Sequence, residues 1–255
     1  MSTTAAARPG KSRRRRITIG VILAAITLTA AVAYPRWGWL IESLAESPPT
    51  GPLSMPTGPI TVMTYNIHTG DRLNDALRII QAESPDVVCL QEIRPAQVSR
   101  IERTLGMDGY WTPSSNLIGD AAWGNAIFVR GRLDQVQSLK TPDGRSFGVW
   151  GTAESKGGRF VVASVHLMHV KRRNGGVPNR VREVRALLDA CKGVDGPMIL
   201  AGDFNEPPVA SLIRPMILER FADAAPDSGE TLPSKIPLVR VDYIYCTEEW
   251  TAANG

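Results

Sequence analysis

Six polar residues of the chain stand at or near the ends of apolar runs: Asn66 after ITVMTY, Glu92 after DVVCLQ, His166 closing VVASVH, Asp203 and Asn205 after PMILAG, and Asp242 in VRVDYIY. Three acids, two amides and an imidazole form a working set for hydrolysing a phosphate ester. A hard divalent cation takes oxygen ligands, which Glu92 and Asn66 offer, and it neutralises charge on phosphoryl oxygens. Asp203 can orient or deprotonate a water, while His166 and Asn205 can donate hydrogen bonds to an anion as its charge develops. Each residue taken alone also has a plain structural reading. Asn66 could close an Asx turn, Glu92 end a strand in solvent, Asp203 and Asn205 start the loop before Pro207-Pro208, and His166 be a satisfied core histidine. Asp242 resists such a reading, because a carboxylate flanked by apolar residues needs a partner or a proton; Arg240 is the nearest candidate. His68 and His169 read as bystanders. The case rests on the ordered set.

The elements that must carry these residues alternate between β-branched apolar runs and helical spacing, the signature of an α/β protein. Residues 60–65 read as a strand. Leu73, Ala76, Leu77 and Ile80 then fall at helical spacing up to a stop near Ser84-Pro85, and residues 86–92 read as a buried strand, so the body opens with a β-α-β unit. Further strands are expected at 124–130, 147–155, 159–167, 197–203 and 240–245, with a hairpin turn at Lys156-Gly157-Gly158. A second helix is marked by Pro178, Val181, Val184, Leu187 and Leu188, with Arg180, Arg182, Glu183 and Arg185 expected mainly toward solvent. In α/β sheets the carboxyl ends of strands open onto the crevice where ligands bind, so the polar residues ending several strands can converge there.

The flanking segments concern location. Residues 1–16 hold six basic side chains and no acid; removing those six from the formal charge of +4 leaves the rest of the chain at −2. Bulk charge therefore gives no steering field for an anionic partner. Residues 17–35 carry no charge, and as a helix they would span roughly 28 Å, close to a bilayer's hydrocarbon thickness. With the arginines before it and Tyr34, Trp37 and Trp39 after, the segment 17–40 is expected to be a single-pass anchor, placing the body outside the cytoplasm. The other reading is a signal peptide cleaved after Ala31-Val32-Ala33, which would release a secreted protein. Residues 41–59, with five prolines between Glu46 and Pro59, read as a linker, and the folded unit is 60–255. Cys89, Cys191 and Cys246 have no metal-like spacing and read as buried thiols. A short basic run, Lys171, Arg172 and Arg173 with Arg180, is either a solvated loop or a place to greet an anion. No obligate protein partner is evident.

The series TYNIH (64–68), LQE (90–92), GNAI (124–127), SVHL (164–167), GDFNEPP (202–208) and VDYIY (241–245) resembles the endonuclease/exonuclease/phosphatase superfamily, whose fold is that of pancreatic deoxyribonuclease. The resemblance implies a four-layer sandwich, two packed mixed β-sheets with helices outside. It also implies a bound Mg²⁺ or Mn²⁺ and cleavage of a phosphodiester or phosphomonoester by direct attack of water. Carried over by position, Glu92 is the main metal carboxylate and Asn66 its neighbour. His166 is the phosphate-contacting histidine, Asp203 and Asn205 the water-activating and phosphate-binding pair, and Asp242 the acid that holds a second histidine. The family pattern closes with Ser-Asp-His on a late strand, whereas the last histidine here is His169. Either the sequence ends early or the protein is a degenerate member, and the chain as written is expected to be inactive. The alternative from another class is a non-catalytic module that holds a phosphorylated ligand. Nucleic acid, a phospholipid headgroup and a small phosphate ester all suit the chemistry as substrates.

Overall fold

The computed structural model describes residues 52–114, 122–169, 176–209, 211–232 and 236–250. The chain order is β1 (Val62–Asn66), α1 (Leu73–Glu83), β2 (Val87–Ile93), a single 3-10 turn (Pro95–Gln97), α2 (Val98–Leu105), β3 (Asp108–Pro113) and β4 (Gly124–Val129). It continues through β5 (Arg132–Lys140), β6 (Ser146–Ser155), β7 (Gly158–His166), α3 (Gly176–Cys191), β8 (Met198–Asp203), α4 (Arg214–Leu218), β9 (Ala222–Asp223) and β10 (Asp242–Cys246). All the strands and both helices expected from the sequence form, with small shifts at their ends. β3, β5 and β9 and the helices α2 and α4 are additional.

Two mixed sheets result, ordered β1-β2-β4-β3 and β5-β6-β7-β8-β10-β9. β1 and β2 run parallel, as the β-α-β reading requires, and so do β7 and β8; the other pairs are antiparallel. The layering follows from period-2 alternation in strands buried on both faces. Along β2, Val87 and Cys89 enter the layer between the sheets, where they meet Val149, Phe160, Val162 and Ile199, while Val88 and Leu90 face α1 and α2. Along β8, Ile199 and Ala201 enter the same central layer, while Met198 and Leu200 join Val184, Leu187 and Ile217 from α3 and α4. Each such aliphatic side chain contributes about 1.5–3 kcal/mol by leaving water, so the alternation fixes which face each strand-end residue can occupy. The result is the α/β sandwich of two mixed sheets flanked by helices. The three cysteines are buried and free.

Helix α1 buries Leu73, Ala76, Leu77 and Ile80 and ends where Ser84 turns left-handed and donates its N–H to the Ile80 carbonyl. The expected transmembrane segment, residues 17–40, lies outside the described residues; among those described, no helix is long and apolar enough to cross a membrane. Part of the expected linker is seen to run against the body. Ser54 exchanges hydrogen bonds with Arg159, its N–H to the Arg159 carbonyl and its Oγ from the Arg159 N–H, and the Thr57 N–H meets the Gly157 carbonyl.

One close approach sets the position of Asp203. Gly202 has φ +152°, and a Cβ there would lie 2.0 Å from the Val165 carbonyl oxygen on β7. The β7–β8 pair therefore closes only around a glycine, immediately before the acid. Gly202→Ala is expected to destabilise the protein by about 2–4 kcal/mol. Urea unfolding measures this; a loss under about 0.5 kcal/mol, the range of an ordinary surface change, would show that the contact is soft.

Candidate active site

Register assembles the six polar residues at one end of the sandwich. His166 on β7 pairs with Asp203 on β8, and Asp203 pairs with Asp242 on β10. The second sheet thus presents imidazole, carboxylate and carboxylate on three adjacent strands. The first sheet contributes Asn66 at the end of β1 and Glu92 near the end of β2. Glu92 is the extra residue of a bulge, because Gln91 pairs with Asn125 and Ile93 with Gly124, and it holds φ +59°. Bulges often re-aim side chains beside functional sites, and a glutamate held left-handed stores backbone strain. Asn205, two residues after β8, is likewise left-handed at φ +51°.

The side chains meet across the sheets. Asn66 Nδ2 donates to Glu92 Oε1 and to Asp203 Oδ2, both at 3.1 Å. Asn66 Oδ1 accepts the His68 N–H, so the amide turns its nitrogen, not its oxygen, toward the two acids. Glu92 Oε2 accepts the Thr69 N–H at 2.9 Å, and Asp203 Oδ1 accepts the Asn205 N–H at 2.9 Å. His166 Nε2 stands 3.7 Å from Asp203 Oδ2 and 4.0 Å from Glu92 Oε1, and Trp123 lies tilted over its ring at 5.7 Å between centroids. Asn205 gives one amide hydrogen to the Leu167 carbonyl. All six expected residues come together. His68 stays exposed, its side chain 80% accessible.

Among the described residues, no lysine or arginine forms an ion pair with Glu92 or Asp203. Two carboxylates within reach of one amide nitrogen, and without a cationic side chain, are hard-oxygen donors that suit a divalent cation. Mg²⁺ binds through one or two carboxylates and keeps waters in its remaining positions. No group of three or more His, Cys, Asp or Glu side chains among the described residues forms a ready-made cage.

Asp242 is the electrostatic outlier. Burial, then the neighbouring Asp203 charge, pushes its carboxyl up to about 7, and Thr231 and the Arg240 charge offset this only in part. Asp242 Oδ1 is buried and accepts no hydrogen bond among the described residues. Arg240 is committed elsewhere: its two terminal nitrogens grip Asp223 at 2.9 and 3.0 Å, and its guanidinium lies 4.3 Å over the Tyr243 ring. Of the two kinds of relief open to Asp242, the proton is the one this geometry favours.

A polar layer missed from the sequence lies beneath the site. Gln91 is fully buried and donates to Ser164 Oγ on the opposite sheet at 3.1 Å. Two residues of α3 read as solvent-facing are instead buried: Arg180 is 2% exposed and Glu183 0%. Helical spacing places charged residues on a face but cannot show that Glu206 and Arg145, distant in sequence, are waiting there as partners. Arg180 is accordingly not free to greet an anion; Lys171, Arg172 and Arg173 lie outside the described residues. Hydrogen bonds from Ser211, Arg180 and the N–H groups of Leu212 and Ile213 overcome burial and hold the Glu206 carboxyl below the usual range.

The sequence pattern of the Endonuclease/Exonuclease/phosphatase family matches residues 63–255. No curated protein sequence matches the chain. Solved structures share the fold. An endonuclease/exonuclease/phosphatase from Beutenbergia cavernae DSM 12333 is 24% identical, with a TM-score of 0.57 over 74% of this chain and 64% of that one. The catalytic domain of human Nocturnin with a bound sulfate is 23% identical, with a TM-score of 0.54 over 74% and 83%. A mannosyl-6-phosphatase from Bacteroides thetaiotaomicron VPI-5482 is 20% identical, with a TM-score of 0.58 over 74% and 86%. At these identities the likeness is one of fold.

The raised Asp242 carboxyl gives a signed prediction. A folded-state value above the unfolded one stabilises fully below about pH 4, and that contribution is lost as pH rises through about 7. Asp242→Asn is therefore expected to stabilise the protein by roughly 1–3 kcal/mol at pH 8 and by less at pH 5. Chemical unfolding at the two pH values measures the difference; an equal gain at both would place the carboxyl in solvent.

Proposed function

The chain belongs to the endonuclease/exonuclease/phosphatase family, whose members are hydrolases, and from that premise we propose that it is a divalent-metal-dependent phosphoesterase using water as nucleophile. The observation that carries this reading is the single amide of Asn66 gathering Glu92 and Asp203 beside His166. The residues fit Mg²⁺ or Mn²⁺, with Glu92 as the principal ligand and Asn66 beside it; Asn66 would have to turn its oxygen inward to join. The cation supplies Lewis-acid neutralisation of phosphoryl charge.

The chain's own groups supply the rest. Asp203 has one oxygen fixed by the Asn205 N–H, so its Oδ2 faces His166 and Asn66 and can orient a water or take its proton. His166 and the second amide hydrogen of Asn205 donate to the developing anion. Asp242, beside Asp203, takes the role of the carboxylate that orients a further imidazole, the part that the family pattern gives it. The expected membrane segment supports a setting on the outer face of a membrane. The substrate is a phosphate ester of open class, whether nucleic acid, phospholipid headgroup or small ester, and a panel of the three measures the preference.

A version extended by a Ser-Asp-His strand should hydrolyse bis-p-nitrophenyl phosphate only with added Mg²⁺ or Mn²⁺, at a rate orders of magnitude above that of the 255-residue chain. Turnover in the presence of a chelator would overturn the assignment, and metal-dependent binding without turnover in both forms would mark a phospholigand-binding module. Glu92→Gly should abolish hydrolysis while leaving stability unchanged or raising it by about 1 kcal/mol, because glycine relieves the left-handed backbone.

Membrane fractionation of the expressed protein tests the anchor. An unprocessed chain in the membrane fraction supports it, and a soluble product beginning at Tyr34 would identify a signal peptide.

A further inference from the structure

Four backbone groups follow His166, and every one is held. The Leu167 N–H donates to the Asp203 carbonyl at 2.9 Å, and the Leu167 carbonyl accepts Asn205 Nδ2 at 2.9 Å. The Met168 N–H donates to Glu183 Oε2 at 2.9 Å, and the Met168 carbonyl accepts Arg180 Nη1 at 3.1 Å. Glu183 and Arg180 are one turn apart on α3, so one face of that helix grips both polar groups of a single residue. Each is anchored behind its grip. Glu183 Oε1 takes Arg145 Nη1 at 2.6 Å, and Arg180 Nε meets Glu206 Oε2 at 2.7 Å. Glu206 in turn accepts the Leu212 N–H at 2.6 Å.

One buried and one partly buried ion pair are a poor way to stabilise a sandwich, since apolar side chains of similar volume usually do as well or better. Their geometry instead converges on the two residues after the crevice imidazole. We propose that Glu183 and Arg180 are positioning residues: by clamping Met168 they set the direction of His166 relative to Glu92 and Asp203. The inference rests on the reading of His166 as a crevice donor, and it concerns Arg145 only as the anchor of Glu183, since no Arg145–Met168 hydrogen bond occurs among the described residues.

The test uses the full chain and a readout independent of turnover. The sequence has three histidines, so an imidazole NMR spectrum at fixed pH carries three sets of signals, and His166→Gln assigns one. Glu183→Ala and Arg180→Met should split, shift or broaden the His166 signal and lower kcat roughly 10–100-fold with KM little changed. Glu183→Gln, which still offers an oxygen to the Met168 N–H, should restore the signal. Arg145→Met, which removes only the anchor behind Glu183, should lower the unfolding temperature while moving the His166 signal less than Glu183→Ala does. A His166 signal unchanged in Glu183→Ala, with a stability loss like that of Arg145→Met, would overturn the proposal. Should Glu183→Ala not fold, Arg180→Lys decides, because a single nitrogen replaces the planar Nε–Nη1 pair that reaches Glu206 and Met168 separately; an unmoved His166 there overturns it equally. If neither the parent nor any variant hydrolyses a phosphate ester, the His166 signal alone decides whether the clamp positions the ring.

Discussion

Three carboxylates are forced to one rim of the sandwich by strand register, and much of the local architecture answers to their mutual repulsion. Asp203 and Asp242 sit opposite one another on paired strands, and Glu92 arrives from the facing sheet. At such separations in a partly desolvated site, like charges cannot all persist without compensation. Three kinds of relief are visible. The Asn66 amide bridges Glu92 and Asp203, Asp242 moves toward its protonated form, and main-chain N–H groups of Thr69 and Asn205 take up the outward oxygens. The basic residues nearby are spent elsewhere, Arg240 on Asp223 and Arg180 on Glu206. What is left among the described residues is a group of hard carboxylate oxygens without a cationic side chain paired to Glu92 or Asp203, a donor set that suits a small divalent cation.

Backbone strain is placed with the same economy. Glu92 and Asn205, both at the candidate site, hold left-handed conformations, and Gly202 takes a conformation that other residue types rarely adopt just before Asp203. Such conformations persist only where surrounding packing over-determines them. Here that packing is the doubly buried β2, β4, β7 and β8, whose apolar alternation leaves each strand no freedom to slip.

Legibility in the sequence followed burial. Strands such as β2 and β8 are covered on both faces, so they read as continuous apolar runs, and the polar residue that ends each run is conspicuous. β3 (DGYWTP) buries Thr112 alone and carries no such run. β5 (RLDQVQSLK) loses its alternation at a register shift near Gln135, which is itself left-handed. Helix α2 offers only Ile101 and Leu105 as buried positions. The bulge that turns Glu92 into the crevice has no local signal at all, because it exists only relative to β4. The same holds for Arg180 and Glu183, whose burial depends on partners 26 and 38 residues away.

The segment from Leu53 to Thr57 meets the sandwich at the start of β7, beside Arg159 and Gly157, whereas His166 lies at the other end of that strand. Tension applied to the chain from its N-terminal side would thus load the β6–β7 hairpin first. The paired strand residues between Arg159 and His166 would then spread the force through ladder hydrogen bonds in shear before it reached the imidazole. His166 is thus separated from the point where the described N-terminal segment joins the sandwich by the length of β7, so a pull on that segment would be spread over the ladder before it could shift the side chains gathered around Asn66.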